Sequence, residues 1–163
     1  MPDPIRIALL GALQGTGAHV KPSVALEALT ASQARKRPHK KLATIWEQLG
    51  HMVYWQDIML TRLRGRTPSY PKHDVDGWPP MPPLRDSKEV WADLVAHFEA
   101  GLKAAERIAR TKNLSALMIP TDKRTFADQL GSLAIHNSYH LGQIVTLRRM
   151  IGAWPPPSGA DSW

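Results

Sequence analysis

Apolar residues recur along the chain every three to four positions and a period of two persists nowhere, so the pattern predicts helices and no sheet. Ile5, Leu9, Ala12 and Leu13 outline a short amphipathic helix that Gly15 and Gly17 should end. Pro22-Ser23 can open a second short piece carrying Val24, Ala28 and Leu29. The segment from about 42 to 64 is apolar around most of its circumference. Leu42, Ile45, Trp46, Leu49, Met52, Val53, Met59, Leu60 and Leu63 span a wide arc, and Asp57, Thr61 and Arg64 mark the polar edge, as expected of a central helix. Residues 65 to 85 contain Pro68, Pro71, Pro79, Pro80, Pro82 and Pro83, which forbid a helix and predict an extended crossover of the kind that covers a site or an interface.

Asp86 with Glu89 reads as a capping box for the next helix, whose stripe is Val90, Trp91, Leu94, Phe98, Leu102, Ala105 and Ile108. A polar break ends near Pro120 and Asp122. The last helix is predicted over about 124 to 151, with Phe126, Leu130, Leu133, Ile144, Leu147 and Ile151 on one face, stopped by Gly152 and the Trp154-Pro155-Pro156-Pro157 run. No segment repeats another. Four main helices and one long proline-rich crossover define an all-α four-helix bundle, a fold that places its sites between facing helices.

A length of 163 residues predicts one domain spanning 1–163. The chain has no cysteine, which excludes a disulfide scaffold, a cysteine zinc cluster, an iron–sulfur site and a thiol nucleophile of its own. Any metal must be held by His, Asp or Glu. Lys and Arg number 21 against 14 Asp and Glu, a net charge of +7. The densest run, Arg35, Lys36, Arg37, His39, Lys40 and Lys41, falls in a predicted loop, and Arg62, Arg64 and Arg66 sit near a helix end that favours cations. Neither resembles a basic recognition helix, so nucleic acid is not the expected partner, and the loop would at most attract an acidic substrate. No apolar run reaches the roughly 20 residues of a membrane helix, and the start lacks a basic region and a small-residue cleavage pattern, so the expectation is a soluble cytoplasmic protein.

The seven histidines are unequal. His39 and His73 fall in predicted loops, and His97 lies at the edge of a stripe, where an ordinary partly buried histidine is expected. His136 and His140 stand four apart on the last helix and therefore share a face, a spacing that suits two imidazoles on one metal. They lie beside Leu133, Ile144 and Leu147 on the border of the core stripe, and an unpaired imidazole turned inward costs about 1–3 kcal/mol. His51, in the buried arc of the central helix among Glu47, Tyr54, Trp55 and Ile58, can meet that pair across an antiparallel bundle. Three histidines at mid-helix depth make a candidate metal site with open positions. Gln143, Tyr139 and Glu47 are candidates for orienting an imidazole or a bound water.

The Ile45-Trp46-Glu47-Gln48-Leu49-Gly50-His51 segment, with His136-Asn137-Ser138-Tyr139-His140-Leu141-Gly142-Gln143-Ile144 later, resembles the DinB/YfiT superfamily of metal-dependent enzymes. The tail from Gly152 to Trp163 resembles one branch of it, as does Gly17-Ala18-His19-Val20-Lys21-Pro22-Ser23, which departs at Ala18 and Val20-Lys21 from the Trp-His-Gly-Pro form of that branch. His19 is accordingly a neighbour of the site and not an expected ligand. The resemblance implies an up-down-down-up-like bundle, a His51, His136, His140 triad holding nickel, zinc or a similar divalent ion, and frequent dimerisation. It also implies chemistry on low-molecular-weight thiols, as in thiol transferases and thiol-dependent isomerases. A metal with open positions can deprotonate a thiol or a water, so the expected activity is that of a metal-dependent transferase or hydrolase. A non-catalytic bundle that binds a metal or small ligand is the alternative.

Overall fold

The computed structural model describes residues 3–121 and 123–159. Among them the secondary structure is helical apart from one isolated bridge between Leu117 and Thr125. The helices are α1 (Pro4–Gln14), α2 (Pro22–Leu26), α3 (Ala31–Ala34), α4 (Ile45–Leu63), α5 (Ser87–Thr111) and α6 (Phe126–Met150). Local chemistry sets their starts. Asp3 caps α1 by accepting from the amides of Ile5 and Arg6. Thr44 with Glu47 and Thr125 with Asp128 form reciprocal capping boxes on α4 and α6.

The four long helices close into a bundle in which α1 and α6 run together, opposite to α4 and α5. The directions follow from the pairings. The first half of α4 shares an apolar cluster with Trp91 and Phe98 of α5 and with Leu141 and Ile144 of α6, whereas Leu60 and Leu63 meet Ala105, Ala109, Leu130 and Leu133. Arg6 donates to the carbonyls of Ala109 and Lys112, while Gln14 reaches back to Glu106, so α1 opposes α5. No residue of α4 is exposed, as its wide apolar arc predicts. Between the two clusters the interior is polar: Gln56 is fully buried and donates to the Phe98 carbonyl at 3.1 Å, packed where Gly101 leaves room for it.

Several expectations are corrected. Ile5 is 55% exposed, because Arg6 and not Ile5 makes that turn's contact with α5, through the Ala109 and Lys112 carbonyls, and Leu13 is the buried anchor of α1. The second piece ends at Leu26, since Ala28 turns into the left-handed region at φ 54°, and Leu29 instead offers its carbonyl to Trp91 Nε1 at 2.7 Å. Leu42 precedes α4 and is exposed. The crossover carries two single 3₁₀ turns, Asp74–Gly77 and Leu84–Asp86, in stretches clear of its prolines. The second of these leads into α5 at Ser87, and the side chain of Asp86, with its predicted capping box, lies outside the described residues, as does Asp122. His97 is exposed and bonded to Asp57 Oδ1 at 2.9 Å. The basic run is only partly solvated: Arg35 donates to Ser87 Oγ and the Pro82 carbonyl and lies over Trp46, tying the end of the crossover down.

Candidate metal centre

The antiparallel pairing of α4 and α6 brings His51, His136 and His140 together, with one nitrogen from each lying within 4.8 Å of the other two. His51 and His140 are buried and His136 is half-buried. The environment of each ring decides which nitrogen is free. His51 Nδ1 lies 2.8 Å from the Gly77 carbonyl, which can only accept, so Nδ1 carries the proton and Nε2 presents a lone pair. His140 Nδ1 lies 2.8 Å from Gln48 Oε1 and 2.9 Å from Gln143 Oε1, which fixes the same tautomer. His136 Nε2 faces His51 Nε2 at 3.4 Å, and its buried Nδ1 has no hydrogen-bond partner.

All three imidazoles are held neutral. Burial pushes His136 down to about 4, helped by repulsion from His140 and His51. Burial also lowers His51 and His140, against the opposing effect of their bonds to Gly77 and Gln143. Three neutral imidazoles with converging nitrogens, two of them locked through Nδ1 by oxygen acceptors, form a donor set suited to a divalent cation. The Nε2 atoms of His136 and His51, 3.4 Å apart, place two of these donors side by side.

The crossover supplies the cover. Trp78 stacks on His51 with centroids 4.0 Å apart and planes 17° apart, and Gly77 sits against the Trp55 indole, where an added Cβ would lie 3.0 Å from Nε1. Tyr139 is 65% exposed and meets His140 edge-on at 5.0 Å. Of the candidates for orienting the site, Gln143 does touch a triad ring. Glu47 does not: it caps α4 through Thr44 and pairs with Arg37 at 2.6 Å. Burial alone would raise its carboxyl, but these bonds hold it below the usual range. His19 reaches Ser138 Oγ at 2.8 Å and bonds no triad ring. Gln48, Gly77 and Trp78 were not anticipated; Gln48, one turn before His51 on a buried helix, carried the same signal as His51 itself.

An all-α bundle with an inward histidine triad on two facing helices defines the class. The chain belongs to the DinB superfamily, whose family model matches residues 23–144, a stretch that includes every triad residue. No curated protein and no solved structure matches the chain. No described helix is long and apolar enough to cross a membrane.

Proposed function

We propose that His51, His136 and His140 hold a divalent cation, nickel or zinc, through their Nε2 atoms, and that the protein is a metal-dependent transferase or hydrolase acting on a small molecule. The observation that carries this reading is the pair of Nδ1 locks, Gly77 on His51 and Gln48 with Gln143 on His140, which leave the Nε2 lone pair of each ring free within a three-histidine cluster. A cation held by three imidazoles supplies Lewis acidity, lowering the pKa of a coordinated thiol or water toward neutrality. The chain's own residues orient and shield: Trp78 covers His51, and the glutamines fix His140. A thiol would arrive as substrate, since the chain has none. Metal analysis of protein prepared without chelator tests the reading. One ion per chain, lost in His136→Ala with helical content retained, supports it, and a metal-free wild type refutes it.

Burial of His51 and His140 also favours a second reading, a non-catalytic centre that holds metal for stability. A large fall in melting temperature on chelation distinguishes it from an open catalytic site. Ile135, Tyr139 and Met150 form an exposed stripe on α6 and support a homodimer, checked by sedimentation equilibrium.

A further inference from the structure

We infer that Asn137 is the positioning residue for the third ligand: its Oδ1 accepts a hydrogen bond from His136 Nδ1–H and so reserves Nε2 of that ring for the cation. The inference rests on the metal-centre reading above. His51 and His140 each have an oxygen on Nδ1, whereas His136 Nδ1 is buried without a hydrogen-bond partner. A ring that binds a cation through Nε2 keeps its proton on Nδ1, and an N–H stranded in the interior is destabilising. His136 therefore needs an acceptor of the kind its two partners have.

Asn137 is placed to supply it. The residue is 3% exposed, and neither Oδ1 nor Nδ2 makes a hydrogen bond. Its surroundings on α6 are apolar, with Leu130, Leu133 and Ala134 buried before it and Leu141 and Ile144 after it. A leucine would continue that stripe without burying a polar group, yet the position holds an amide. Two other buried carboxamide oxygens are unpartnered among the described residues, those of Gln56 and Gln129. Gln56 is turned to α5, where Nε2 bonds the Phe98 carbonyl and the amide fills the space beside Gly101. Gln129 starts about 10 Å from His136 along the helix axis. Asn137 follows His136 directly, about 100° round α6, on the inward arc that also holds His140. With no bond fixing the amide, a half-turn about its last side-chain bond exchanges Oδ1 and Nδ2. The Asn137 side chain already raises the His136 pKa against the stronger lowering by burial and by the other two rings, the sign expected of an oxygen acceptor.

Zinc titration of metal-free wild type, Asn137→Leu and Asn137→Asp against a competing chelator tests this, with urea denaturation of the same metal-free proteins alongside. Asn137→Leu should lose about 10- to 100-fold in zinc affinity, the usual effect of removing the partner that orients a ligand. Its urea midpoint should not fall, since two unpartnered polar atoms leave the core. A packing role would lower both. Asn137→Asp keeps an acceptor and should hold zinc within about threefold of wild type. Nitrogen-15 spectra of zinc-loaded wild type should show His136 protonated at Nδ1. If the leucine variant does not fold, Asn137→Ala is read in the same way. Equal zinc affinity in wild type and the leucine variant, a loss of affinity that follows the urea midpoint, or zinc on His136 Nδ1 overturns the inference and leaves the metal centre standing. A wild type that takes up neither zinc nor nickel sinks the metal reading and the inference together.

Discussion

Trp78 lies flat against His51, 4.0 Å between ring centroids, while the carbonyl of the residue before it, Gly77, accepts a hydrogen bond from His51 Nδ1–H at 2.8 Å. One dipeptide of the crossover therefore fixes both the plane and the tautomer of a triad ring. It does so from a segment otherwise dominated by prolines, whose restricted backbone costs less to order than a flexible loop of equal length.

Trp78→Ala should weaken metal binding about fivefold, the equivalent of a stacked pair worth about 1 kcal/mol. Trp78 is itself only half-buried, so helical content should be unchanged. Competition against a chelator of known affinity measures the effect, and unchanged affinity would show that the indole merely covers the ring.

The two glutamines at His140 should back each other up. Either Gln48→Leu or Gln143→Leu alone leaves one oxygen for the Nδ1 proton, and metal affinity should change little. The double substitution strands a buried N–H and should cost about 10- to 100-fold in metal affinity, the usual effect of losing the partner that orients a ligand. The comparison of two singles with the double is a coupling measurement, and additive small losses would count against the shared lock.

The triad was legible because a helix of period 3.6 assigns every residue to a face, and His51, His136 and His140 all fell inside or beside apolar stripes. Gly77 and Trp78 were not, because no periodicity governs where a crossover lays its backbone. The wheel also gives a face without saying which of its residues a neighbouring helix covers: Ile5 reads as core and stands in solvent, while Arg6 beside it holds the end of α5. Glu47 shows the converse: its carboxylate is committed to the Thr44 capping box and to Arg37, which competes with a role at the site.

Gly101→Ala should destabilise the bundle without touching the triad. A Cβ there would lie 1.9 Å from Gln56 Nε2, and Gln56 is fully buried between α4 and α5, so it cannot swing into solvent. The collision should cost about 1–3 kcal/mol by urea denaturation, while metal affinity measured well below the midpoint stays unchanged. Unaltered stability would mean that Gln56 has a second buried rotamer available.

Acidification should destabilise the metal-free protein through its histidines. An unfolded imidazole takes a proton as pH falls through 6.5, whereas folded His136 resists until about 4, so the unfolded state binds more protons throughout that window. The stability contributed by neutral His136 is fully present above pH 6.5 and drains away as pH falls toward 4. The difference corresponds to about 3 kcal/mol, which partial contact of the ring with solvent reduces to about 2 kcal/mol. His51 and His140 are lowered as well and act in the same direction. Glu47 and Asp128, whose carboxyls are held low, add their own losses at the acid end of the range. Urea midpoints of metal-free wild type and His136→Gln across pH 7.5 to 4.5 separate these sources. The variant should show the shallower dependence between pH 6.5 and 5, and parallel curves would mean that the His136 ring protonates in the folded protein as freely as it does unfolded.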